Sequence, residues 1–278
     1  MLTITAYHGI YNTINAVQLN QGDNMIELNG NEVRFGQFPN LELNLPTEEL
    51  HPHTVNMVKW VYEDDTDFLR LALVKGYIDD MGGTAELYIT YMPHSRMDRD
   101  NAHYATAIKG AARLINSLMF STVIVREPHS METVGLLNNA EADMWCAERI
   151  KLVYKAGNFD SIYFPDYGAQ VRYADVMPEV PKAVGKKVRD FKTGKITGLT
   201  TTGHVGKNVL IVDDLCSRGG TFVLGATALK EKGAERVCLL VAYVEDTVFT
   251  GELFDHIDIL YTSAERYLDV NPRIIKLN

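Results

Sequence analysis

Residues 208–233 leave little choice of local structure. The run Asn208-Val-Leu-Ile-Val212 has the length and branching of a buried strand, followed by two adjacent carboxylates, Asp213 and Asp214. A short loop, Leu215-Cys-Ser-Arg-Gly-Gly220, then leads into a helical stretch over 221–232 that stops at Gly233. That helix sets Phe222, Ala226 and Leu229 on one face, the spacing of a core-facing stripe. A strand, a glycine turn and a helix in this order form a unit of a parallel α/β sheet. Such sheets bind ligands at the carboxyl ends of their strands. A glycine turn entering a helix N-terminus points backbone N–H groups at a phosphate. Two carboxylates beside a phosphate repel it unless they hold something else on the same ligand, and sugar hydroxyls or a metal meet that need. The segment therefore reads as a ribose-phosphate site, with Asp213 and Asp214 on the hydroxyls and Ser217, Arg218, Gly219, Gly220 and Thr221 around the phosphate. The plainer alternative is an ordinary turn with solvated aspartates.

The rest of the chain follows the same grammar. Strands are expected at 161–164 and 236–244 in the second half, and at 86–92 and 122–125 in the first. A long amphipathic helix is expected over 102–120. Two α/β halves of similar length suggest a duplicated architecture, divided into residues 1–145 and 146–278, although no internal repeat is visible. Residues 182–202 are rich in Lys, Gly and Thr and read as an exposed, mobile loop or hairpin. A formal charge of -9 argues against general nucleic-acid binding, while leaving room for local cations at a phosphate site. The cysteines Cys146, Cys216 and Cys238 lack metal-ligand spacing and suggest no disulfide framework. The start lacks the pattern of a signal peptide, and no apolar run approaches the ~20 residues that span a bilayer. A cytoplasmic protein is the expectation.

A second cluster of chemistry follows the first-half strand, in Pro93-His-Ser-Arg-Met-Asp-Arg-Asp100. Arg96 and Arg99 flank Asp98, and guanidinium forks suit polyphosphate oxygens. Taken alone, the segment reads better as a surface Arg/Asp/Arg salt-bridge cluster.

Together these motifs resemble a known family. The acidic pair with Gly-Gly-Thr is similar to the phosphoribosyl-diphosphate loop of type I phosphoribosyltransferases and of ribose-phosphate diphosphokinases (phosphoribosyl-diphosphate synthetases). Tyr91-Met-Pro-His-Ser-Arg-Met-Asp-Arg99 resembles the ATP-binding segment of the diphosphokinases, which the simple transferases lack; Met97 stands where that family carries Gln. Arg34-Phe-Gly-Gln-Phe-Pro39 resembles the turn that lines the adenine, with Phe35 matching. Val123-Ile-Val-Arg-Glu-Pro-His129 resembles a Val-Asp-Leu-His segment whose histidine lies by metal and triphosphate. Phe164-Pro-Asp-Tyr-Gly-Ala-Gln-Val-Arg172 resembles a turn whose aspartate helps hold Mg²⁺, with Ala169 replacing a glycine. Lys186-Lys-Val-Arg189 resembles the functional Lys-x-Arg of the mobile loop.

The resemblance spans about residues 34–245 and implies a fold of two tandem type I phosphoribosyltransferase-like domains, each a mainly parallel sheet flanked by helices. It implies an ATP site of Phe35, Arg96, Met97, Asp98, Arg99 and His129, with Mg²⁺ near His129 and Asp166. It implies catalysis by Lys187 and Arg189, and a homodimer or larger homo-oligomer with ATP sites shared between subunits. The reaction implied is diphosphate transfer from ATP to ribose 5-phosphate, in nucleotide biosynthesis. Where the family carries Asp-Thr, this chain has Ser217-Arg218, a more cationic loop that also suits a larger acceptor such as ADP-ribose, in NAD metabolism. A phosphoribosyltransferase and an inactive regulatory paralogue are further alternatives.

Overall fold

The computed structural model describes residues 26–97, 105–189, 196–263 and 270–277, with the backbone alone for 187–189 and 196–198. In chain order the first half supplies β1 (Ile26–Leu28), β2 (Asn31–Glu32), β3 (Gly36–Gln37), β4 (Leu43–Asn44), β5 (Val55–Trp60), α1 (Asp67–Asp80), β6 (Thr84–Ile89), α2 (Ala107–Ser117), β7 (Thr122–Arg126), α3 (Met131–Gly135) and β8 (Ala140–Asp143). Apart from the β3–β4 hairpin, its strands form one sheet in the order β2-β1-β5-β6-β7-β8, parallel from β5 to β8. Period-two burial drives it. Val58 and Trp60, Leu87 and Ile89, and Val123 and Val125 all point to one face. Leu71, Val74 and Ile78 of α1 and Ile108, Ala112 and Ile115 of α2 cover that face, at the three- and four-residue spacing of a helical stripe.

The second half supplies α4 (Trp145–Ala156), β9 (Ser161–Phe164), α5 (Tyr167–Tyr173), β10 (Lys182–Arg189), β11 (Ile196–Gly203), β12 (Asn208–Cys216), α6 (Gly220–Glu231), β13 (Arg236–Val244), α7 (Leu253–His256), β14 (Leu260–Thr262) and β15 (Ile274–Lys276). The sheet order is β11-β10-β9-β12-β13-β14-β15, parallel throughout except for the β10–β11 hairpin. Both faces are covered. Val209 and Ile211 pack with Phe222, Ala226 and Leu229 of α6, while Leu210 and Val212 pack with Cys146, Ile150 and Val153 of α4. The first half's core draws on residues up to Ala142, and the second half's cores begin at Trp145.

Several boundaries differ from expectation, each for a tertiary reason. The strand expected at 208–212 runs on to Cys216, because its neighbour β13 continues to Val244 and pairs Leu215 with Tyr243 and Cys216 with Val244. The acidic pair thus lies within a strand instead of capping one. The strand expected at 86–92 is Thr84–Ile89, since Thr84 already pairs with Val55. The helix expected over 102–120 is Ala107–Ser117, with Ala102, His103 and Tyr104 outside the described residues. Residues 182–202 form paired strands, in register from Ala183 opposite Gly203 to Lys187 opposite Leu199. Residues 190–195 lie outside the described residues.

Gly219, immediately before α6, has a φ of 79°, and a Cβ built there would lie 2.9 Å from a Leu253 methyl. Gly219→Ala is expected to lose about 1–2 kcal/mol from the left-handed backbone alone. Gly220, with nothing within 4 Å of a Cβ, should accept Ala without loss. Urea midpoints of the two variants check this, and equal midpoints would show that the turn relaxes.

Candidate active site

Five strand ends converge at the carboxyl edges of the two sheets. The loop after β6 carries Arg96 and Met97, and the loop after β7 carries His129. The turn after β9 carries Asp166, β12 brings Asp213 to Thr221, and β13 delivers Glu245. The first two belong to one half and the last three to the other, so the cluster lies on the seam between them. A small cleft there is lined by Tyr91, Ser95, Glu127, His129, Asp214 and Tyr243.

At its centre lies Arg172, on α5. Its Nη2 donates to Asp213 Oδ1 at 2.7 Å and Asp214 Oδ1 at 2.9 Å, and its Nη1 donates to the His129 carbonyl at 2.8 Å. The His129 ring closes the cycle, with Nδ1 2.7 Å from Asp214 Oδ2. The amide of Asp214 donates to Asp213 Oδ1 at 3.0 Å. Burial works to raise both carboxyls. For Asp214 the His129 hydrogen bond and the Arg172 charge outweigh it and hold the group low; Asp213, beside that anion, is pushed up. Arg172 stays cationic despite burial, because both aspartates face it. Sequence inspection gave Arg172 no role. The signal available was its position six residues after Asp166, on a helix that lies against the acidic strand.

The loop from Ser217 to Thr221 follows. Phe222 and Val223 donate to the Gly219 carbonyl, leaving the Gly220 and Thr221 amides ahead of the first intrahelical bonds. Ser217 Oγ lies 3.1 Å from Thr247 Oγ1, and Arg218 is exposed without an ion pair among the described residues. Arg96 Nη1 donates to Glu245 Oε1 at 2.7 Å across the seam, beside Tyr91 stacked on Tyr243 with ring centres 4.4 Å apart. Met97 is exposed. Asp98 and Arg99 lie outside the described residues. Phe35 is separate from this cluster: it packs on the first half's core, with the Arg70 guanidinium 6.0 Å from its ring centre.

Asp166 caps α5, its Oδ1 accepting from the Ala169 amide at 3.1 Å. No group of three metal-ligating side chains occurs among the described residues. The carboxylate of Asp166 would suit Mg²⁺, which typically takes one or two carboxylates and draws its other oxygens from water and substrate phosphates. Lys187 and Arg189 belong to β10, whose pairing with β9 ends at Val184 opposite Phe164. Gly185 then passes the Pro165 carbonyl so closely that a Cβ there would lie 2.7 Å from it, so the hairpin continues past the Asp166 turn at the ligand edge.

The fold is similar to that of a phosphoribosylpyrophosphate synthetase from Mycobacterium smegmatis, with a TM-score of 0.70 and 17% identity over 88% of this chain and 85% of that one. It is a tandem phosphoribosyltransferase-like α/β fold. No protein-family model matches the chain. Among curated proteins it is 29% identical to a ribose-phosphate pyrophosphokinase of Saccharolobus solfataricus over 63% of each chain. It is 30% identical to one of Sulfurisphaera tokodaii over 62% of each, and 27% to one of Sulfolobus acidocaldarius over 76% of this chain and 74% of that one. By sequence the chain is similar to ribose-phosphate pyrophosphokinases over most of its length. It matches somewhat less than two thirds of the length of the Saccharolobus and Sulfurisphaera relatives. Among the described residues, no helix is long and apolar enough to cross a membrane.

Proposed function

We propose that this protein transfers the terminal diphosphate of ATP to the C1 hydroxyl of ribose 5-phosphate, giving phosphoribosyl diphosphate and AMP. The observation that carries this reading is the acidic pair, clamped by Arg172 beside a helix N-terminus and facing His129 across the seam. The sugar hydroxyls meet Asp213 and Asp214, and the 5′-phosphate takes the Gly220 and Thr221 amides with the Ser217 and Thr221 hydroxyls. The C1 oxygen attacks the β-phosphorus and the bond from that phosphorus to the α-bridging oxygen breaks. The hydroxyl proton passes to solvent and AMP leaves. Arg96 and Arg99 hold the polyphosphate, with Met97, Asp98 and Phe35 on the nucleotide side and His129 on phosphate oxygens. Lys187 and Arg189 stabilise charge developing at the β-phosphorus. Asp166 holds Mg²⁺, which supplies charge neutralisation at the phosphates when bound. The chain works as a homo-oligomer in the cytoplasm, its halves dividing at residues 145/146.

Purified protein with ATP and Mg²⁺ should form AMP only when ribose 5-phosphate is added. Absence of AMP under those conditions would sink the reaction. Pyrophosphate release without ATP would identify a phosphoribosyltransferase instead, and nucleotide binding without turnover an inactive paralogue.

Arg218 favours a second reading, in which the acceptor is ADP-ribose and the exposed guanidinium takes its additional phosphate. In that case Arg218→Ala should lower kcat/KM for ADP-ribose about tenfold or more, the worth of one hydrogen bond to a charged group. Activity with ribose 5-phosphate should change much less. Equal losses with both acceptors would remove this reading.

A further inference from the structure

The buried carboxylate of Glu127 has no part in the chemistry above, yet its surroundings tie it to every member of the central cluster. It stands at the end of β7, on the first half's side of the seam, with a φ of 40°. That backbone conformation is rarely adopted by a side chain of this size and persists only where the surroundings impose it. Its amide donates to the Asp143 carbonyl at 2.8 Å. Among the described residues its carboxylate accepts from the other half: Oε2 from the Cys146 amide at 2.7 Å and Oε1 from the Tyr173 hydroxyl at 2.8 Å. Both donors are neutral, so no direct ion pair compensates the burial of this charge. Such an arrangement is costly as a means of stabilising the fold alone.

Three links run from this side chain into the site. Tyr173 is the neighbour of Arg172 on α5, and the Arg172 guanidinium lies 5.5 Å from its ring centre. Cys146 reaches the Asp213 carbonyl through its thiol, at 3.7 Å. His129 follows two residues later in the chain, with its carbonyl on Arg172 and its ring on Asp214.

We infer that Glu127 is a positioning residue, a peg from the first half that sets His129 and Arg172 against the acidic pair. It acts through Tyr173 and Cys146 without touching substrate. The inference deepens the diphosphate-transfer reading and rests on it for the kinetic consequence.

The test compares Glu127→Gln with Glu127→Leu. The glutamine keeps a carbonyl for the Cys146 amide and turns its NH₂ toward the Tyr173 oxygen, so turnover should be largely retained. The leucine keeps a similar volume but removes the acceptor of two buried donors, the Cys146 amide and the Tyr173 hydroxyl, which destabilises the fold. Its melting temperature should fall, and at a temperature where the variant is still folded kcat should fall by about 10²-fold, the cost of a displacement of roughly 1 Å in a catalytic group. KM for ATP should move far less. A readout independent of turnover is the His129 Nδ1 resonance in ¹⁵N-histidine spectra, which should shift in the leucine variant and stay in the glutamine variant. If Glu127→Leu fails to fold, Tyr173→Phe makes the same comparison by removing one hydroxyl. An unmoved His129 resonance in the leucine or phenylalanine variant overturns the inference, as does turnover that falls only in step with melting temperature. A wild-type protein that forms no AMP removes the proposed reaction but leaves the resonance test to decide the role of Glu127.

Discussion

Arg172→Met should cost the fold about 3–5 kcal/mol, the usual penalty for removing one partner of a buried ion pair. The three side chains are 17% (Arg172), 14% (Asp213) and 8% (Asp214) exposed, so solvent screens them little. Without the guanidinium, two adjacent carboxylates share a nearly dry site, and only the His129 hydrogen bond remains to Asp214. The loss should depend on pH in a definite direction. Asp213 is already raised by burial and by the neighbouring Asp214, and losing the cation raises it further. A carboxyl whose folded value lies above its unfolded one favours the fold while protonated, and that contribution disappears as pH rises through the folded value. The deficit should therefore be largest at neutral pH and shrink as the solution is acidified, measured by urea unfolding across a pH series. Arg172→Lys should fall between wild type and methionine, because an ammonium keeps the charge but cannot span Asp213, Asp214 and the His129 carbonyl as a planar fork does. A pH-independent deficit would mean that Arg172 contributes packing and not charge.

Lys187→Ala should lower kcat by about 10²-fold or more, by analogy with the loss of one preorganised donor to a transition-state charge. Because a cation on the transferring group acts mainly in the transition state, KM for either substrate should change much less. The backbone favours this assignment. Strand β10 leaves its partner β9 at Val184 opposite Phe164, passes the Pro165 carbonyl at Gly185 and runs on through Lys187 to Arg189. Steady-state AMP release gives the measurement. Wild-type turnover in the alanine variant would remove Lys187 from the chemistry and leave Arg189 to be tested in the same way.

The parts of this molecule legible in the sequence are those built from contiguous residues. Strands β9 and β13 and the helix after Gly219 follow from apolar runs and a three- and four-residue stripe, and they occur within a residue of expectation. The acidic pair and the glycine turn could be located because strand, loop and helix are consecutive. Arg172, Glu127, Tyr173 and Glu245 were not readable as site residues, since each acquires its partner from a distant segment. Arg172 and Asp213 are 41 residues apart, Glu127 and Tyr173 46, and Arg96 and Glu245 149. Phe35 packs partly buried on the first half's core, beside the Arg70 guanidinium, a contact that its motif did not foretell.

Strand ends divide in the same way. The chain's own pattern stops β12 at Val212, where apolar residues give way to aspartates, yet hydrogen bonding to β13 carries it to Cys216. Local sequence therefore determined that this protein would build parallel α/β layers with a glycine turn at their carboxyl edge, because propensity, periodicity and glycine freedom act over a few residues. Only the tertiary structure decided which charges meet there, how deeply the acidic pair is buried and that one arginine serves both aspartates. Burial and electrostatic pairing depend on distances that the folded backbone alone sets.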